Sequence, residues 1–143
     1  PSVTAAPSNP GLKATWHEFK GNKCSEIEKA PINGTYPVED VMIPKKVKGN
    51  IGLIIKGYFN APQDDIYTFA LLSDDGSTLT IDSEQIVDND GPHGPKEIVG
   101  QKALAKGYHP MELRYFDQNG GQLKLKVTGS DGKEIPFTHL YAH

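Results

Sequence analysis

Apolar residues recur at every second position through most of this chain, and that period confines it to β-strands. Leu123, Leu125 and Val127 alternate with Gln122, Lys124, Lys126 and Thr128, the pattern of a strand with one face on a core and the other in water. Tyr67, Phe69 and Leu71 alternate with Thr68 and Ala70, and Met111, Leu113 and Tyr115 with Glu112 and Arg114. Both runs are predicted as central strands. Ile51–Phe59 (IGLIIKGYF) is almost continuously apolar, as expected where both faces are covered, and its Gly52 and Gly57 predict a bulge or a close approach. Shorter strands are predicted at Leu12–Phe19, Leu79–Asp82, Ile86–Val87, Ile98–Leu104 and around Ile135–Phe137, with turns at Ala61–Asp65, Ser73–Ser77, Asp88–Pro95, Lys106–Gly107, Asp117–Gly121 and Ser130–Lys133. The fold class that follows is all-β, an antiparallel sandwich or barrel-like fold with long loops. Pro31, Pro37 and Pro44 break any long element between Gly21 and Gly49, so loop and edge strand are expected there, with one helical turn at Cys24–Ala30 capped by Ser25.

At 143 residues the chain has the size of one domain. Its opening PSVTAAPSNP reads as a linker over residues 1–10, which leaves 11–143 for the domain. A net charge of −3, and 15 basic residues that never run beyond Lys45-Lys46, argue against a nucleic-acid partner. There is no apolar run of the roughly 20 residues that insertion of a membrane helix needs. Cys24 is the sole cysteine, so an intrachain disulfide is excluded, and a packed thiol is the expected state. Catalysis finds no footing: nucleophile elbow, HExxH and phosphate loop are all missing, and no carboxylate pair is set apart for acid-base work.

The chemistry is concentrated in Ser73–Pro95 (SDDGSTLTIDSEQIVDNDGPHGP), where Asp74-Asp75 precede Gly76 and Asp88-Asn89-Asp90 precede Gly91. Carboxylates on a bent backbone suit a hard cation such as calcium, or sugar hydroxyls. They also build ordinary turns, and Asp88–Asp90 are read mainly in that way. His93, between Pro92 and Gly94-Pro95, is expected to hydrogen-bond rather than ligate, and Asp82 to cap the turn it enters. Tyr67 and Tyr115 are assigned to the core, whereas Trp16 and Tyr36 stay open between packing and sugar stacking.

Taken together, GLKATWHEF (Gly11–Phe19), GYFNAPQDDIYTFALL (Gly57–Leu72), SDDGSTLTI (Ser73–Ile81), VDNDGPHGP (Val87–Pro95), LAKGYHPMELRYF (Leu104–Phe116) and DQNGGQLKL (Asp117–Leu125) resemble, in order and spacing, the PA14 domain family. Asp65 stands where the family usually has Gly. The resemblance implies a non-catalytic β-sandwich module of a secreted, periplasmic or cell-surface carbohydrate-active enzyme or adhesin, the flavour being closest to bacterial polysaccharide-degrading enzymes. The implied partners are a glycan or polysaccharide and the catalytic domain of the same parent chain. It further implies that Asp74 and Asp75 are joined by a cis peptide and hold calcium, with the remaining ligands drawn from the loop Asp117–Gly121. Asn119 is the leading candidate there, as metal ligand and glycan contact, followed by Gln118 and then Asp117. That loop is short and lacks the aromatic residue common in lectin-like members. The alternative reading is a structural, interdomain module in which the acidic pair only locks its turn.

Overall fold

A computed structural model of the chain describes residues 9–10, 12–38, 41–43, 49–118, 121–135 and 140–142. Among these, eleven strands and one 3-10 helix occur in the order β1 (Asn9–Pro10), β2 (Leu12–Glu18), the helix (Cys24–Lys29), β3 (Ile32–Val38), β4 (Asn50–Ala61), β5 (Asp65–Asp74), β6 (Ser77–Ile81), β7 (Glu84–Asn89), β8 (Lys96–Leu104), β9 (Gly107–Gln118), β10 (Gln122–Thr128) and β11 (Leu140–Ala142). All pairings are antiparallel. The large sheet is organised on β4, the continuously apolar run, which pairs along its whole length with β9 from Asn50↔Gln118 to Ala61↔Gly107. The other edge of β4 is shared. Its first half pairs with β2, which carries β3 outside it, and Tyr58 and Phe59 pair with β11, which carries β1. Beyond β9 lie β6 and β7. The small sheet is β10-β5-β8.

The two sheets face each other and are not closed into a barrel, so of the two architectures expected the sandwich is the one formed. The alternating residues of the sequence meet between them. Tyr67, Phe69 and Leu71 from the small sheet pack on Leu53, Ile55, Leu113 and Tyr115 from the large one, all with no exposed surface. Phe59 contacts the rings of Tyr67 and Phe69 edge-on at centroid distances of 5.4 and 5.6 Å, the favoured geometry for aromatic pairs. Trp16 and Tyr36 are partly buried against this core, which favours packing over stacking for both.

On the outer face of the large sheet a second cluster, Phe19, Cys24, Ile27, Ile54 and Phe116, seats the 3-10 helix. A helix this short has little stability of its own, and it is the burial of Ile27 and Cys24 that fixes it. Gly52 gives the room: a Cβ there would lie 2.8 Å from Ile27 and 3.1 Å from Phe19, so the close approach predicted for this glycine is real. Ser25 is not the cap. Lys23 flanks the helix without a side-chain cap bond, and the Cys24 N–H donates instead to Asp90 Oδ1 at 3.0 Å, from a loop 66 residues away.

β3 contains Pro37 and is nevertheless a strand, because it pairs on one side only and an edge strand tolerates a missing N–H. Of the strand expected around Ile135–Phe137, Pro136 and Phe137 lie outside the described residues; just before them Glu134 bridges to Thr128, and the Ile135 N–H donates to the Val127 carbonyl at 2.8 Å. Of the expected linker, Asn9 and Pro10 belong to β1, and residues 1–8 lie outside the described residues.

Candidate functional site

Two connections pass between the sheets at one corner of the sandwich. β5 ends at Asp74, and Asp75-Gly76 carry the chain from the small sheet to β6 in the large one. β9 ends at Gln118, and the segment after it returns to the small sheet, where Gln122 pairs with Asp74. Sequence-distant carboxylates are thereby gathered: Asp74, Asp75 and Asp117 each present an oxygen, and these atoms lie within 4.8 Å of one another. The Asp74–Asp75 peptide is cis.

Each part of the corner is fixed by neutral polar groups. Tyr115 donates its hydroxyl to the Asp74 carbonyl at 2.7 Å. Ser73 Oγ donates to the Asp75 carbonyl at 2.8 Å and lies 2.5 Å from Ser77 Oγ. Asp75 is held by both oxygens, Oδ1 accepting the His93 N–H at 3.2 Å and Oδ2 the Gln118 N–H at 3.3 Å. The carboxylate therefore joins three loops. Gly121 allows the approach: a Cβ on it would stand 2.1 Å from the Asp74 carbonyl oxygen, 2.5 Å from Tyr115 Oη and 2.8 Å from Asp117 Cγ. Gly76 does the same on the other side, where a Cβ would meet the Phe116 ring at 2.5 Å and Gly91 backbone atoms at 2.7 and 2.8 Å.

Electrostatics set the character of the corner. Asp117 is only 3% exposed, and burial, reinforced by the charges of Asp75 and Asp74, pushes its carboxyl above the ordinary aspartate range. Burial also pushes the Tyr115 phenol far up, with Asp117, Asp74 and Asp75 adding to the effect, so it remains a donor at any physiological pH. Three clustered carboxylates in a half-buried corner repel one another, and a bound cation would relieve that repulsion. The donor set fits a hard cation: two oxygens on opposite sides of a calcium ion are roughly 4.8 Å apart, given ligand distances of about 2.4 Å. Each carboxylate oxygen of Asp75 keeps a lone pair beyond the one its N–H partner uses.

Asp74 and Asp75, read from the sequence, are thus brought together. Asn119 lies outside the described residues. Gln118 contributes its backbone N–H to Asp75, while its side chain is exposed. Asp117, ranked last of the loop residues, supplies the third carboxylate. The signal that marks it is the strand period, since Asp117, the last residue but one of β9, continues the inward alternation of Met111, Leu113 and Tyr115.

Asp88–Asp90 stand apart from the cluster. Asp90 Oδ1 takes the N–H groups of Cys24 and Gly91 at 3.0 and 2.9 Å, and Asp88 takes that of Asp90 at 3.2 Å, as turn construction requires. Asn89, buried, donates to carbonyls of Leu71 and Lys96 at 3.2 and 2.8 Å. His93 places its ring nitrogens 2.7 Å from the Gly94 carbonyl and 2.8 Å from that of Asn89, a hydrogen-bonding role. Asp82 and Ser83, both at positive φ, form the β6–β7 hairpin turn, and Asp82 Oδ2 lies 2.8 Å from His109 Nδ1.

A sequence model of the PA14 domain matches residues 8–137. No curated protein sequence matches the chain significantly. Among solved structures, a PA14 sugar-binding domain from an RTX adhesin superposes with a TM-score of 0.78 at 17% identity, over 95% of this chain and 99% of that one. The A domain of epithelial adhesin 6 from Candida glabrata, solved with Galb1-3GlcNAc, gives 0.71 at 12% identity over 98% and 89%. A beta-glucosidase from Kluyveromyces marxianus, solved with glucose, gives 0.66 at 17% identity over 90% of this chain but only 17% of its own. At these identities the likeness is one of fold.

Proposed function

We propose, from the premise that this chain belongs to the PA14 domain family, that it is a glycan-binding module whose site is the acidic corner Asp74, Asp75 and Asp117, completed by calcium. The observation that carries this reading is the gathering of three carboxylates, one of them buried, at mutual distances suited to a single ion. Calcium takes six to eight oxygens, so three carboxylates leave positions that vicinal sugar hydroxyls can fill. Gln118, whose N–H meets Asp75, and Asn119, the next residue in the sequence, are assigned to the sugar side. The domain itself is read as non-catalytic, a companion to a carbohydrate-active enzyme or adhesin in a secreted or cell-surface chain. Sugar-binding and glycan-complexed domains among its structural relatives support that setting. So does the occurrence of the fold as part of a beta-glucosidase. No helix among the described residues is long and apolar enough to cross a membrane.

A second reading is favoured by one observation: both oxygens of Asp75 already accept backbone N–H groups. In that case the corner is a structural lock, and the domain serves contact with a neighbouring one. A glycan array probed with and without millimolar calcium, beside Asp74→Ala/Asp75→Ala, separates the two. The glycan reading expects calcium-dependent signals that the double variant loses. Binding of no glycan under either condition sinks it for the isolated domain.

A further inference from the structure

The large sheet also presents an outer surface that neither the core nor the acidic corner uses. Beside the 3-10 helix, Lys13, Thr15, Lys56 and Arg114 line an open groove of about 420 Å³, with Glu28 and Ile32 at its margin. Past Arg114 a second depression of about 290 Å³ continues over Thr78, Thr80 and Gln85. Strand register explains the layout. Lys13 on β2 lies directly opposite Lys56 on β4, Lys56 opposite Glu112 on β9, and Glu112 opposite Thr80 on β6, so one row of outward residues crosses four strands. In the adjacent row Ile54 is opposite Arg114, and Arg114 opposite Thr78.

The charges in this groove do not balance. Glu112 is shared, 3.5 Å from Lys56 Nζ and 3.1 Å from Arg114 Nε, and Arg114 reaches the exposed Glu28 at 3.5 Å. Among the described residues Lys13 makes no ion pair. In the groove beside the helix, Lys13, Lys56 and Arg114 thus face Glu28 and the adjoining Glu112, whereas the lining of the second depression sets Arg114 against Glu28, Glu112 and Asp90; the excess of positive charge is confined to the lysine end, in a protein whose net charge is −3. Like charges directly opposite on neighbouring strands repel, and an anion seated between Lys13 and Lys56 would turn that repulsion into attraction. Away from the lysines the second depression offers threonine hydroxyls and the Gln85 amide, which both donate and accept, and the carboxylates of Glu112 and Asp90, which accept; this end suits the hydroxyls of neutral sugar units and disfavours a further anion. The exposed Ile32 gives a C–H face something to rest on.

We propose that this groove is a second glycan site, taking the carboxylate of a uronate-containing polysaccharide between Lys13, Lys56 and Arg114 while the neutral part of the chain runs over Thr78, Thr80 and Gln85. The ligand class rests on the glycan-binding reading given above, but the surface and its charge are different, and the protein's own cations stand in for calcium. An acidic chain would bind here without metal.

The test is titration of the domain with a xylotriose bearing a single glucuronate and with the methyl ester of that glucuronate, in EDTA, followed by amide chemical shifts and calorimetry. The free acid is expected to bind and to perturb amides at Lys13, Lys56 and Arg114, and the ester to bind far more weakly. Lys13→Gln/Lys56→Gln, two exposed positions, is expected to lose about tenfold in affinity. Lys124→Gln/Lys126→Gln, two exposed lysines on β10 of the small sheet, should bind as wild type. Equal binding of acid and ester, an unaffected lysine variant, or no binding of the acid would each overturn the proposal. Calcium-dependent binding of neutral glycans at the acidic corner is a separate readout, so failure of one site is distinguishable from failure of the other.

Discussion

The Tyr115 hydroxyl donates to the Asp74 carbonyl at 2.7 Å, joining the central pair of the large sheet to the last residue of the small sheet's central strand. Tyr115 is fully buried and Asp74 half-buried, so the bond sits at the rim of the core. Tyr115→Phe keeps the ring and removes the donor, leaving a carbonyl unpaired; urea denaturation should show a loss of about 1–3 kcal/mol. A variant as stable as wild type would mean that the corner does not depend on this tie.

Asp117→Asn should have opposite effects with and without metal. Burial beside Asp75 and Asp74 disfavours its charge, so the amide should raise the apo melting midpoint. The same change removes a ligand. Calcium should therefore raise the midpoint of wild type, as a ligand of the native state alone does, and leave that of the variant where it was. Calcium-independent melting of wild type would point to the structural lock.

Gly121→Ala should be among the most damaging single-methyl changes in the chain. The added carbon would fall 2.1 Å from the Asp74 carbonyl oxygen, a backbone atom that cannot rotate away. A destabilisation of about 1–3 kcal/mol or more is expected, with loss of any calcium response. Gly49, where a Cβ meets nothing within 4 Å but φ is +84°, offers a control for backbone strain alone.

Asp65 gives a pH dependence. Ser130, through its hydroxyl and its N–H, holds the Asp65 carboxyl below the ordinary aspartate range. A depressed folded-state value means that the unfolded chain binds the proton first. The contribution is present above the unfolded value and is lost as pH falls through the folded one. Asp65→Asn should lower stability at neutral pH, flatten the acid limb of the stability-pH curve through and below the usual aspartate range, and converge on wild type in strong acid. An identical acid limb in both proteins would rule the contact out as its source.

Strand positions were legible from the sequence wherever one face is buried, because a two-residue period has few other causes. The helical turn at Cys24 and an edge strand before Gly49 were legible too; what holds them was not. The Cys24 N–H is capped by Asp90 rather than by Ser25, and β3 tolerates Pro37 because, among the described residues, it pairs with β2 alone. Within the site, Asp74 and Asp75 were legible as adjacent residues, whereas Asp117 is 42 positions away and joins them only once β9 and β5 have crossed from opposite sheets. Asp65 illustrates the same limit in reverse. Its departure from the family glycine gave no hint that it would bridge to Ser130.

The pairing of β1 with β11 has one more consequence. Asn9 lies opposite Ala142, so the first and last described strands run side by side, β11 being attached to β4 at Tyr58 and Phe59 and carrying β1 on its outer side. Asp117 is opposite Ile51, at the other end of the same strand, roughly 26 Å away at the usual rise per residue. A host protein could therefore carry this domain as a bud on a single surface loop, its own two flanking residues hardly separated. The acidic corner would then be the outermost tip, pointing away from the host.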